Sequence, residues 1–129
     1  MFGPGSLYTS IIPNLLVKGM HEAIVQSKAK LVFVTNNCYE ADGETGPERL
    51  SDFVATLQSY VPRKLALLVY NTHAFSNNEM DVLREKKWKP MTIDATNVSI
   101  KHMHGVDLEN AGGGVDSEKL KNVFEQLLS

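Results

Sequence analysis

A single cysteine, Cys38, stands among 129 residues. The chain can therefore close no internal disulfide and build no cysteine-based metal site, which fits a reducing compartment. No apolar run approaches the ~20 residues that span a bilayer. The first residues also lack the basic and apolar regions of a secretory signal. No membrane partner is expected, and the expected location is cytoplasmic. An excess of charge of one sign is missing too: 13 Lys and Arg face 15 Asp and Glu, for a formal net charge of -2 and a pI of about 6.1. That balance gives nucleic acid no electrostatic footprint. The densest basic stretch, Arg84 to Lys89, is short and reads as a solvated helix end.

What is present reads as one α/β domain over residues 1–129, with 43% hydrophobic and 22% charged residues. Leu31 to Thr35 and Leu65 to Tyr70 are apolar, β-branched runs of the kind buried on both faces of a parallel sheet. Met91 to Ile93 reads as a third, short strand and Ile100 to Val106 as a fourth, interrupted by His102, His104 and Gly105. Between them fall helical patterns: a short helix or turn around Leu7 to Val17, then Met20 to Ser27, Glu48 to Ser59, and a segment capped by Ser76 or Asn77 and running to Lys87. A last amphipathic helix is capped by Asp116 or Ser117, with Leu120, Phe124, Leu127 and Leu128 on one face. Alternation of this kind predicts right-handed βαβ units and a sheet covered on both sides. Ligands of such sheets bind at the carboxyl ends of the strands. The rule selects Asn36 to Thr45 and Asn71 to His73, with the Gly3 loop beside them.

Residues Gly3 to Asn14 read Gly-Pro-Gly-Ser-Leu-Tyr-Thr-Ser-Ile-Ile-Pro-Asn. The glycines flanking Pro4 allow a tight turn and close approach of a ligand. Ser6, Thr9 and Ser10 offer hydroxyls and helix caps, and a helix start favours an anion. Taken alone, the same residues make a tight turn and a cap. On the next loop, Asn37, Glu40, Asp42, Glu44 and Thr45 present amides and carboxylates that suit a sugar, a base or a cation, or simply a solvated loop with Asx turns. His102 and His104 would share one strand face near Asp107, at a spacing that matches no strong metal motif. His73, directly after a strand, is a better candidate for ligand contact, or else an ordinary loop histidine. Cys38 has no evident base beside it and reads as a packed or semi-exposed thiol. Gly112-Gly113-Gly114 lacks the Lys-Ser/Thr tail of a phosphate-cradling loop and reads as a flexible hinge.

From Gly3 to Val17 the run resembles the signature of the gluconeogenesis-factor (YvcK-like) branch of the 2-phospho-L-lactate transferase (CofD-like) family. Asn37, Gly43-Glu44-Thr45, Ser51-Asp52-Phe53-Val54 and a strand ending at Asn71 follow at compatible spacing, and Asp116 to Leu120 resembles the start of the family's last helix. The likeness is strong to about Val54 and architectural beyond it. Three departures stand out. Ala41-Asp42 replaces a usual Gln-Pro, Phe53 replaces a usual His, and Gly114-Val115 replaces a usual basic residue and His. The glycine-rich strand–loop–helix and the acidic segment that precede Gly-Pro-Gly-Ser in family members have no counterpart here. The chain thus resembles a C-terminal half, expected to be a fragment or a short paralogue, with one wall of the family pocket missing.

The resemblance implies a Rossmann-like three-layer α/β sandwich with a mostly parallel sheet. It also implies a nucleotide-sugar (UDP-sugar) or other phosphate-bearing ligand, bound by a domain that is non-catalytic alone and associated with carbon-source use and cell shape. Gly3, Pro4, Gly5, Ser6 and Thr9 are its implied phosphate loop. Asn37, Gly43, Glu44, Thr45 and Asn71 are its implied rim. No residue is assigned to catalysis or to a metal. The alternative is a phospholactyl transferase, with Mg2+, whose active site is completed by a further segment or a second chain. A third alternative is an assembly module: a half-sheet leaves an open edge, which predicts a homodimer or higher oligomer.

Overall fold

In the computed structural model, which describes residues 1–43 and 46–129 apart from the Leu128 side chain, helices and short strands alternate. Leu7–Ile11 winds as a π turn and continues as α1 (Ile12–Leu15), followed by α2 (Met20–Gln26), β1 (Val32–Val34), β2 (Cys38–Glu40) and α3 (Leu50–Tyr60). Then come β3 (Leu67–Asn71), α4 (Asn77–Glu85), β4 (Trp88–Pro90), a 3-10 turn at Ala95–Asn97, β5 (His102–Val106) and α5 (Ser117–Leu128). The main sheet is parallel with order β1-β3-β5, and Val34 lies level with Val69, which lies level with His104. Phe2 extends it by one parallel bridge beyond β1: its N–H donates to the Val32 carbonyl at 2.8 Å, and Val34 N–H donates to its carbonyl at 2.9 Å. The outer edge of β1 is therefore paired at that point rather than fully open.

Side chains alternate across the strands, so the sheet has two apolar faces. Phe33 and Leu68 turn toward Leu7, Ile11, Ile12 and Leu15 and toward Leu50, Phe53 and Leu57 of α3. Val34 and Val69 turn the other way and meet Leu108 together with Leu120, Val123 and Phe124 of α5. The result is the three-layer α/β sandwich, as the alternation implies. The helix-spaced residues Leu50, Phe53, Val54 and Leu57 are all buried, which at ~1.5–3 kcal/mol per large side chain makes α3 the main cover of its face.

Two elements differ from the sequence expectation. The third strand is Trp88–Pro90 rather than Met91 to Ile93, and it belongs to a separate antiparallel ribbon with β2, which lies within the expected loop. Met91 instead turns into the core, while Thr92 makes a single bridge to Arg49. Helix ends are satisfied from afar as well as locally. Ser51 N–H and its hydroxyl both donate to the Asp94 carboxylate, so Asp94 caps α3 from a distant segment. Arg63 closes α2 by donating to the carbonyls of Ile24, Ser27 and Ala29 at 3.1, 2.6 and 3.0 Å. Ser76 and Glu79 form a reciprocal capping box at α4. No helix among the described residues is long and apolar enough to cross a membrane.

Candidate functional site

At the carboxyl end of β1 the chain turns through Asn36 and Asn37 into β2, and a cleft of about 360 Å³ opens there. Pro4, Gly5 and Ser6 form one wall, and Gly113, Gly114 and Val115 face them. Asn36, Asn37 and Cys38 lie between the two walls, with Tyr39, Glu40 and Trp88 of the β2–β4 ribbon to the side. Gly3 explains why the first wall fits. Its φ is +71°, and a Cβ there would stand 2.2 Å from the Val34 carbonyl oxygen, so only glycine lets the turn lie against β1. Gly5 N–H donates to Asn36 Oδ1 at 2.8 Å, which joins the first wall to the floor.

The second wall is held by Glu109, a carboxylate only 4% exposed. One carboxylate oxygen accepts the Gly112 N–H at 3.0 Å and the Gly113 N–H, while the other accepts Asn37 Nδ2 at 2.8 Å. The same Nδ2 also donates to the Gly114 carbonyl at 2.7 Å. Three successive glycines, read as a hinge, are thus a hydrogen-bonded loop, because a buried carboxylate supplies the acceptors their amides need. Burial, with the Glu109 charge added, pushes the Cys38 thiol up to about 12 against a weaker opposing pull from Lys86, so the thiol is neutral and inert.

The expected phosphate loop divides. Pro4, Gly5 and Ser6 line the cleft, whereas Gly3 lies behind it against β1. Thr9 is exposed inside the π turn, with its N–H given to Ser6 Oγ at 3.2 Å. Of the expected rim, Asn37 is central. Gly43 forms a turn at φ +87° outside the lining, and Glu44 and Thr45 lie outside the described residues. Asn71 is buried and does not line the cleft: its Oδ1 accepts the Leu108 N–H at 2.8 Å and the His73 N–H at 3.2 Å, which fixes the end of β3 to the chain leaving β5. The loop after β5 therefore takes the place expected for Asn71 to His73. Sequence reasoning missed Glu109, Trp88 and Gly113-Gly114 as wall builders. Their one local signal was an acidic residue shortly before a glycine run.

A second polar cluster lies behind the loop. His73 Nε2 meets Glu79 at 3.0 Å and Nδ1 meets Asp107 at 3.4 Å, so neither nitrogen is left for a ligand. Burial disfavours the imidazolium, but the hydrogen bonds to Glu79 and Asp107 outweigh it and raise the His73 pKa. Asp107 is held low, first by the Glu109 N–H and then, against burial, by Lys119. Lys119 Nζ lies 3.1 Å from Asp107 and donates to the Glu109 carbonyl at 2.8 Å. Asp107 is thereby engaged by His73 and Lys119. No group of three His, Cys, Asp or Glu side chains among the described residues is placed to hold a metal ion.

The family model described as 2-phospho-L-lactate transferase CofD matches residues 1–109. A Thermotoga maritima protein carried under the name gluconeogenesis factor is 36% identical over 135 residues, covering 98% of this chain and 43% of its own length. A Halalkalibacterium halodurans gluconeogenesis factor is 45% identical over 60 residues, covering 46% of this chain and 18% of its own. A crystal structure of a Bacillus halodurans protein superposes with a TM-score of 0.78 at 26% identity, over 96% of this chain and 42% of that one. The chain thus spans less than half the length of these relatives. With its glycine-loop cleft at the carboxyl ends of a parallel sheet, it belongs to the CofD family.

Proposed function

We propose that the cleft binds a nucleotide sugar of the UDP-sugar kind, as a ligand-binding domain that is non-catalytic by itself. One observation carries this reading: two glycine loops face each other across Asn37, beside the rings of Tyr39 and Trp88. Backbone at glycine loops approaches a phosphate closely, and a helical segment, 7–15, starts from the first loop with its positive dipole end toward the rim. The Gly5 amide is already committed to Asn36, so a phosphate contact on this wall does not fall on that amide. The two rings offer flat apolar surface to a base. A volume of about 360 Å³ sits near the lower end of ligand pockets, ~300–1,000 Å³. It suits the nucleoside part of such a ligand, with the rest met by additional chain of the kind the longer relatives possess. The names of those relatives support a role in gluconeogenesis. Isothermal calorimetry with UDP-glucose and UDP-N-acetylglucosamine tests the reading. Saturable binding is expected, and an absence of heat at millimolar ligand, both for this chain and for its mixture with the remaining segment of the Thermotoga protein, overturns it.

The family description also supports a transferase that moves a phospholactyl group. Among the described residues no group of three His, Cys, Asp or Glu side chains stands together to hold a metal ion. Magnesium-dependent turnover of a phospholactyl nucleotide donor by the chain would establish that reading instead.

A further inference from the structure

At the amino ends of its strands, opposite the glycine-loop cleft, the main sheet is incompletely covered. Val32, Leu67 and His102 lie level with one another there, and side chains two residues apart share a face. This row therefore points to the same side as Val34 and Val69. Those two are fully buried in the cluster that contains Val123 of α5. One row earlier the cover ends: Val32 and Leu67 are half-buried and His102 is exposed. On the other face, Leu31 at the same end of β1 is buried. A parallel sheet is normally covered on both faces, so the open row marks a place that takes a further layer. A trough of about 1,240 Å³ opens over it, lined by Val32 and Leu67 of the sheet and by Phe124 and Leu127 of α5.

The rim of the trough is basic. Lys30, Lys64 and Lys101 stand shortly before β1, β3 and β5, so each parallel strand is entered past a lysine, and all three line the trough. Among the described residues no Asp or Glu lines it, and none of the three lysines is ion-paired. In a chain whose net charge is -2, this is a local concentration of positive charge around apolar surface. A flat bilayer does not reach a recessed row, and the volume exceeds the ~300–1,000 Å³ of a small-ligand pocket. A helix, ~10 Å across with one apolar stripe, fits beside α5, and lysines on the rim select acids on its flanks.

We propose that this trough is a docking site for an acidic amphipathic helix of a partner protein. Its apolar stripe covers Val32, Leu67, Phe124 and Leu127, and its flanking carboxylates meet Lys30, Lys64 and Lys101. The site is independent of the cleft, which lies at the carboxyl ends of the same strands.

Fluorescence anisotropy of the whole chain tests this with a labelled peptide of about 18 residues, long enough to form a helix. The peptide carries leucine on one helical stripe, glutamate along both flanks and alanine elsewhere; its twin has lysine in place of glutamate. Saturable binding of the acidic peptide is expected, about tenfold or more tighter than the twin and weaker as salt rises. Lys30→Glu, Lys64→Glu and Lys101→Glu together should weaken it by about tenfold or more. All three lysines are exposed, so the fold is expected to persist, which circular dichroism checks. In the wild type, methyl resonances of Val32, Leu67 and Leu127 should shift on binding while those of Val115 in the cleft stay in place, a readout that needs no variant. No binding at millimolar peptide, equal binding of the twin, an unchanged affinity in the folded triple variant, or shifts confined to other residues overturns the proposal. A dimer in light scattering that the triple substitution dissociates makes a second copy the occupant. Binding to phosphatidylglycerol vesicles that the triple substitution abolishes, with no binding of the peptide, makes it a lipid surface. Either result also overturns the proposal.

Discussion

Gly113 and Gly19 share a φ of +88°, yet their surroundings are opposite. At Gly19, where α2 begins, a Cβ would meet nothing within 4 Å. At Gly113 it would stand 2.7 Å from Leu83 Cδ2, 3.0 Å from Trp88 and 3.2 Å from Cys38 Sγ. Alanine at either site bears the left-handed backbone cost, ~1–2 kcal/mol. Alanine at Gly113 adds overpacking against Leu83, which is fully buried, for another ~1–3 kcal/mol. Gly113→Ala should therefore cost ~2–5 kcal/mol, against ~1–2 for Gly19→Ala. The difference of ~1–3 kcal/mol isolates packing of the glycine loop against α4, because the backbone term is common to both. Urea unfolding followed by circular dichroism measures it, with the slope unchanged and the midpoint moved. Because Gly113 lines the cleft, Gly113→Ala should also weaken ligand binding, while Gly19→Ala should leave it alone. Equal stability losses in the two variants would refute the claim that this loop is a packed wall.

Asp94→Ala removes the remote cap of α3 and should cost ~1 kcal/mol at neutral pH. Burial opposes ionisation of Asp94, but the bonds from Ser51 and Asn97 outweigh it and hold its pKa below 3.8, so its contribution is present above that value and is lost as pH falls through the lower folded value. The variant should lose that part of the acid sensitivity in unfolding midpoints taken between neutral and strongly acidic pH. His73 has the opposite sign. Its raised folded pKa gives stability that is full below 6.5 and disappears as pH rises through the folded value, so the gap between wild type and His73→Gln should shrink with rising pH above 6.5. Arg63→Ala frees three carbonyls at the end of α2 and should cost ~1.5–3 kcal/mol, with faster amide exchange concentrated in Met20–Gln26.

What could be read from the sequence depended on how local the cause was. The strands β1 and β3 declared themselves because burial on two faces demands continuous apolar runs, and α3 and α5 did so because one buried face demands helical spacing. The β2–β4 ribbon was not legible. Cys38-Tyr39-Glu40 and Trp88-Lys89-Pro90 are three residues each, too short for a period, and their pairing joins segments far apart in the chain. The same division runs through the cleft. Pro4, Gly5 and Ser6 were readable from a local turn, and Asn37 from its place after a strand. Glu109 was not, because an acidic residue after a strand becomes a wall builder only when burial denies it water and glycine amides replace it. The glycine run was misread as a hinge for that reason: local backbone freedom is real, but a buried acceptor removes it.

The departures from the family pattern follow the same physics. Phe53, where the pattern usually carries His, is fully buried and stacks on Phe33 with ring centroids 6.5 Å apart. Its ring fills the space above Gly46, where a Cβ would come within 2.5 Å of it. A ring in that position stabilises the face covered by α3 and presents no polar group to a ligand. Val115, in place of a usual His, packs with Val34 and Leu120 in the opposite cluster, and Gly114 contributes its carbonyl to Asn37 rather than a side chain to the cleft. Where the pattern has polar side chains, this chain has packing and backbone at those positions. The polar groups that remain on the described cleft come from Ser6, Asn36, Asn37, Tyr39 and Glu40, and Asn37 among them is tied from behind by the buried Glu109 carboxylate, so the family departures leave recognition to the first glycine loop and the β1–β2 turn.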